Sequence, residues 1–365
     1  MSDYRSSHSA LDRRTVLRAG VALAAFGFSA PAFAAANPIG NAKIEGEGPA
    51  VKLAPKSGPY RIGFSNGFSG NSWRAMCIAA VRAEAELLKA DVKDLIIVDG
   101  QGDINKQVND LETLANQGVD AILCIPNSGS AVVPALRDAT RSGIVTVQFN
   151  LPVDGEAWTG YLGTDPEKKG RALGAWLDKA LGGKGKIVAL GGIPGNSYTA
   201  ACWKGTQSAF SPGIEVLTFK DANWEEDKAK VVMADLIAAY PEIDGVWCDG
   251  AQDAAGAMKA LLAANRPLVP VTGDDYNGLL KLFKAEKPKQ PKFDIGLMSE
   301  PTWESALALR TAVQILKGEE VRKRQIIEPV LITAANYEKY IRPDLPDGVF
   351  TDTSLSDDEL KAIFK

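Results

Sequence analysis

From Tyr60 onward, short apolar runs and stretches of helical period take turns along the chain. Ile62 and Phe64 open a strand, and 65–70 (Ser-Asn-Gly-Phe-Ser-Gly) follows as a loop. Asn71 or Ser72 then caps a helix whose inner positions are Met76, Ala80, Ala83 and Leu87. Residues 95–98 read as a buried strand, and Asp103 starts a helix facing inward through Ile104, Val108, Leu111 and Ala115 until Gly118 stops it. A strand at 121–125, a helix carrying Val132, Val133, Leu136 and Ala139, and a strand at 144–149 complete a first half. A second half has strands near 186–190, 215–219, 245–248 and 269–272, with helices near 199–210, 227–240 and 253–264. Beyond it come a strand at 293–298, a helix at 303–316 ended by Gly318, a late strand at 326–332, and the Ser356-x-x-Glu359 capping box of a short terminal helix. Strict strand–helix alternation predicts α/β architecture: parallel sheets, each covered on both faces by helices and joined by right-handed crossovers. Residues 37–58, rich in Gly, Pro and Lys without a period, read as a flexible lead-in.

The two halves are copies. Gly70-Asn71-Ser72-Trp73 followed by Cys77 recurs 125 residues later as Gly195-Asn196-Ser197-Tyr198 followed by Cys202. The segment 119–124, ending in Cys124, recurs as 243–248, ending in Cys248, at an offset of 124. Two matches at nearly one offset imply two similar lobes, and two like lobes suggest a ligand held between them.

Composition adds limits. The 365 residues suffice for two domains, and 45% hydrophobic with 24% charged residues is the balance of a globular protein. Arg13-Arg14, the apolar run 19–28 and the small-x-small pattern Ala32-Phe33-Ala34 together read as a cleaved twin-arginine export signal spanning residues 1–36. The run is too short to span a bilayer, so a soluble periplasmic protein is expected. Cleavage takes four Arg and two Asp from the 41 basic and 45 acidic groups, leaving a net charge of −6. That disfavours nucleic acid as a partner. It also removes His8, the single histidine, and with it any histidine base or histidine metal ligand. No cofactor or metal is expected. For the four cysteines two readings stay open: small buried side chains, or one bridge per half, Cys77–Cys124 and Cys202–Cys248.

In their order and spacing these residues resemble the type I periplasmic binding proteins of ABC importers, in particular the ribose-binding-like sugar group. The segments that carry the likeness are 62–66 (Ile-Gly-Phe-Ser-Asn), the strand 119–125 with Pro126-Asn127, 191–195 (Gly-Gly-Ile-Pro-Gly), 249–253 and 272–275 (Thr-Gly-Asp-Asp). The likeness covers about 60–340. It implies two doubly wound lobes, 59–153 plus 300–325 and 154–299 plus 326–343, with 344–365 as a tail bearing a short helix. Three crossings are placed near 152–160, 273–300 and 324–332, and the lobes close over a ligand. Two departures from the family pattern, Cys202 where an Arg is usual and Asp249–Gly250 where an Asn is usual, imply a ligand other than the common pentoses and hexoses.

Ligands of open α/β sheets sit beyond the carboxyl ends of the strands, so the loops there form the candidate site. A neutral polyhydroxy solute needs carboxylate acceptors, for which Asp249, Asp275 and Asp274 are suited, and amides that both donate and accept, for which Asn66, Asn127 and Asn150 are suited. Ser128, Gln252 and Ser299 add polar groups in the same loops. Phe68, Trp73, Tyr198 and Trp224 offer flat faces for the apolar sides of a sugar. The ordinary roles of such residues are turns, caps and core packing. Arg is scarce in these loops, with Arg74 the exception, which favours a neutral sugar or sugar alcohol over an anion. The expected function is capture of that solute by a monomer and delivery to a membrane ABC permease and its ATPase. The alternatives are a receptor of the same fold signalling to a membrane sensor, or a carrier of a non-carbohydrate solute. No recognisable acid–base set suggests an enzyme.

Overall fold

Central strands buried on both faces dominate the computed structural model, which describes residues 38–365. The proposed export signal lies outside the described residues. In chain order the first elements are α1 (Pro38–Asn41), β1 (Ile44–Val51), β2 (Tyr60–Asn66), α2 (Ser72–Leu87), β3 (Val92–Asp99), α3 (Ile104–Asn116), β4 (Ala121–Ile125), α4 (Val133–Arg141), β5 (Val145–Phe149) and β6 (Gly160–Gly163). There follow α5 (Pro166–Ala180), β7 (Lys184–Gly191), α6 (Ser197–Gln207), β8 (Gly213–Asp221), α7 (Glu226–Ala239), β9 (Gly245–Cys248), α8 (Ala251–Ala263), β10 (Val271–Asp274), α9 (Asn277–Glu286) and β11 (Ile295–Met298). The last are α10 (Glu304–Leu316), β12 (Val321–Ile327), β13 (Leu331–Thr333) and α11 (Asp357–Ile363).

Among the described residues two sheets result, with strand orders β1-β12-β6-β5-β4-β2-β3 and β13-β11-β10-β9-β7-β8. All pairings are parallel except β1 with β12 and β13 with β11, at one edge of each sheet. The runs β4, β5, β9, β10 and β11 are buried at every position, as expected of parallel strands sandwiched between helices. In each sheet the order reverses beside the first of its parallel core strands, β2 in one and β7 in the other. Their carboxyl ends are therefore the switch points at which ligands bind in such folds.

The chain passes between the sheets three times, at 164–165, 299–303 and 328–330. The first passage comes later than the expected 152–160, because β6 pairs with both β5 and β12 and so extends the first sheet to Gly163. The lead-in also differs from expectation. Residues 44–51 form an edge strand on β12, with most side chains in solvent, so no apolar pattern marks them. All four cysteines are free and buried. Cys77 packs in the cluster of Ile62 and Phe64, whereas Cys124 packs with Leu111 and Ile122 in a separate cluster, which separates the pair considered for a bridge. Cys202 and Cys248 are likewise divided between clusters.

Candidate functional site

The duplicated Asn-Ser-aromatic motif explains how the site is built. Asn71 precedes α2 in extended conformation, and its side chain accepts from the Arg74 backbone N–H. Asn196 does the same for α6, accepting from the Tyr198 and Thr199 N–H groups. Each cap satisfies donors that a helix start leaves unpaired. Each also fixes the aromatic residue two positions on, Trp73 in one copy and Tyr198 in the other. Both aromatics are buried in the wall of one cavity between the strand ends.

The open space of that cavity, its mouth included, is about 440 Å³. Asn71, Trp73, Arg74, Asn150 and Leu151 line it from the first sheet's side. Tyr198, Trp224, Asp249, Gly250, Gln252 and Asp274 line it from the second. Glu300, in the second passage, and Phe350, in the C-terminal segment, complete it.

Trp224 is held unusually. Its φ is +58°, a conformation that bulky residues rarely adopt, and Asn223 before it is at +64°. The indole then lies against Gly192 and Gly250, where an added Cβ would come within 2.1 and 2.2 Å of it. Only glycine permits that approach. Trp224 Nε1 donates to Asp249 Oδ1 at 3.1 Å, and the Tyr198 ring meets the indole edge-on at 6.5 Å between centroids. Asn150 is also left-handed, at φ +61°. Its Nδ2 donates to Glu300 Oε1 at 2.6 Å.

Behind this wall is a charged cluster. Lys169, on α5, has no exposed side-chain surface and lies 2.6 Å from Asp274 and 2.8 Å from Glu300. It also donates to the Tyr198 hydroxyl at 2.8 Å, which in turn donates to Glu300 Oε2 at 3.0 Å. Burial works against the ammonium, but the two carboxylates outweigh it and hold the Lys169 pKa well above the usual lysine range. Burial pushes the Asp249 carboxyl up to about 6, against the Thr199 hydroxyl, the positive charge of Lys169 and the Trp224 N–H, which favour the charged form. Desolvation lowers Arg74 to about 10, so it stays protonated at neutral pH. Arg74 donates from Nη1 to Asn66 Oδ1 at 2.8 Å, leaving the rest of its donor fork for other partners. Gln252 Nε2 reaches Ser72 Oγ at 3.2 Å and thus bridges the two sides of the cleft.

Of the residues expected at the site, Trp73, Asn150, Tyr198, Trp224, Asp249 and Gln252 line the cavity. The others do not, each for a visible reason. Asn66 is turned to Arg74. The Phe68 ring folds over Gly70. Asn127 ties down the Gly67 carbonyl at 2.6 Å, and Ser128 accepts from the Ala131 N–H within its own turn. Asp275 accepts from the Glu300 and Asp352 N–H groups and the Thr351 hydroxyl, all within the protein. Ser299 exchanges bonds with Val330 and so joins the second passage to the third. Asp274, an acceptor by type in the strand-end loops, and Arg74, the one arginine of these loops, line the cavity as well. Lys169, Glu300 and Phe350 gave no signal: Lys169 sits in a lysine-rich helix start that reads as surface, and the other two belong to segments without a motif.

Residues 62–320 match the family model described as a periplasmic binding protein domain. The ribose import binding protein of Bacillus subtilis is 29% identical over 240 residues, which cover 66% of this chain and 77% of that one. The xylitol-binding protein of Mycolicibacterium smegmatis is 30% identical over 255 residues, covering 68% and 71%. Among solved structures, an ABC transporter solute binding protein from Mycobacterium smegmatis with bound glycerol superposes with a TM-score of 0.70 at 26% identity, covering 79% of this chain and 98% of that one.

Proposed function

The chain belongs to the periplasmic binding protein family, and on that footing we propose that it captures a sugar or sugar alcohol between its lobes and hands it to a membrane ABC permease. The observation that carries the reading is the composition of the cavity: aromatic faces on both sides, with carboxylates, amides and one guanidinium placed among them. Flat rings pack the C–H faces of a polyol, while Asp249, Asn150, Gln252 and Arg74 match its hydroxyls as acceptors and donors. The twin-arginine leader expected from the sequence would deliver the folded protein to the periplasm, where it acts as a monomer.

Capture works by population shift. A solute that touches Trp73 and Arg74 on one side and Tyr198, Trp224 and Asp249 on the other makes its full set of contacts only when the sides approach. It therefore stabilises the closed arrangement by its differential affinity, and the permease reads that arrangement. A thermal-shift screen of the purified protein against sugars, sugar alcohols, amino acids and nucleosides tests the reading. A solute present at about 100 times its Kd adds about 2.7 kcal/mol to the folded state. A clear rise with one polyol or sugar names the solute class. A rise only with an amino acid or an anion overturns it.

A further inference from the structure

Residues 341–365 lie past the range that the family model matches, yet they reach the cavity. On one side the segment is fastened to the start of α9. Asn277 accepts from the Arg342 N–H at 2.9 Å and donates from Nδ2 to the carbonyls of Arg342, Leu345 and Pro346. Thr351 and Asp352 are held by the Asp275 carboxylate, whose other oxygen accepts from the Glu300 N–H. On the other side the segment grips the first lobe. Trp303 Nε1 donates to Asp352 Oδ1 at 2.7 Å, the Phe350 N–H points at the Met76 sulfur at 3.4 Å, and α11 packs on α2 with Leu360 buried. Between these two anchorages Phe350 is 2% exposed, packs edge-on against Tyr276 at 5.8 Å, and lines the solute cavity.

We propose that this C-terminal strap is a third component of the solute site and that Phe350 is a specificity-determining residue: its ring is an apolar face for the solute and a stop that limits the solute to the size of one sugar unit. The inference rests on the polyol reading above. An aromatic wall rigidly fixed on both sides cannot retreat for a larger solute, because buried rings in close-packed surroundings have no space to move into. Shortening the side chain removes contact to a small solute and opens room for a larger one.

The test is calorimetric titration of the full protein and its Phe350→Ala and Phe350→Leu variants. The probes are the monosaccharide or polyol that the wild type binds best and a disaccharide or O-alkylated form of it. The expected result is a loss of about tenfold or more for the small solute. Affinity for the larger one holds or rises, and Phe350→Leu falls between. An unchanged ratio of the two affinities in both variants overturns the proposal. So does an equal change of ratio in Leu360→Ala, which loosens the strap away from the cavity. Should Phe350→Ala fail to fold, Phe350→Leu, which keeps an apolar group there, decides by the same ratio. A wild type that binds neither sugar nor polyol is a different failure, since it removes the functional reading itself.

Discussion

Asp249 illustrates how one buried group sets binding and stability in opposition. Its pKa of about 6 in the unliganded cavity exceeds the ordinary value because burial disfavours the charge. A solute hydroxyl donates more strongly to the ionised form, so bound solute lowers this pKa and protons compete with binding. Affinity is therefore expected to be steady above about pH 6 and to fall as pH drops below it, by up to tenfold per unit. Stability of the empty protein runs the other way. A carboxyl whose folded pKa is raised contributes most at low pH and loses that contribution as pH rises from about 4 to about 6. Asp249→Asn should then abolish the pH dependence of affinity, weaken binding at pH 7 by ~1–3 kcal/mol, and raise the melting temperature of the unliganded protein. Titrations from pH 5 to 8, with melting curves, check all three, and a pH slope that survives in the variant assigns it to another group. Lys169 makes the converse case. Lys169→Met leaves Asp274 and Glu300 buried without their cation, which costs about 3–5 kcal/mol when a buried pair is broken. A urea midpoint equal to that of the wild type would show that the cluster does not depend on the ammonium.

At the scale of elements, the repeated cap and the aromatic beside it act as one device. Asn196→Ala removes the acceptor for two N–H groups of α6 and is expected to cost ~0.5–2 kcal/mol of stability. It should also weaken solute binding, because Tyr198 lies in the first turn that the cap holds. Loss of stability with unchanged affinity would separate the cap from the site. This device was legible in the sequence, since capping residues and apolar periods are local and came written twice. The central strands were legible for the same reason: a run such as Ala121–Ile125, buried at every position, is apolar at every position. What was not legible is whatever tertiary placement alone decides. β1 is a solvated edge strand whose pairing depends on β12, 270 residues away in sequence at the closest pair, Val51 with Val321. Asp275 looked like a ligand acceptor by type and position, but its lone pairs are taken by backbone groups of Glu300 and Asp352 that no spacing rule brings near. Phe350 and Lys169 reach the site through the strap and through the packing of α5 on α6.

For the whole molecule, the question is what links closure to solute. The three passages near Gly163, Ser299 and Glu328 connect the sheets, and Ser299 and Val330 fasten two of the passages to each other. A bending motion about these passages would move the start of α2 relative to the start of α8, which is where Gln252 and Ser72 meet at 3.2 Å. Neither group belongs to the passages, so their bond exists only when the sides are near. If solute drives closure, that bond contributes to the measured affinity although it does not touch the solute. Ser72→Ala and Gln252→Ala should each weaken binding, and the double variant should weaken it by less than the sum. The expected coupling is ~0.5–1.5 kcal/mol, the net worth of one hydrogen bond. The same cycle measured on the stability of the unliganded protein should give a smaller coupling, because an open population does not form the bond. Because Gln252 also lines the cavity, only the coupling, and not the single effect of Gln252→Ala, reports on closure. Equal coupling in affinity and in unliganded stability of zero would mean that the two sides do not rely on this contact. Substantial coupling in unliganded stability with none in affinity would mean that they are already closed without solute.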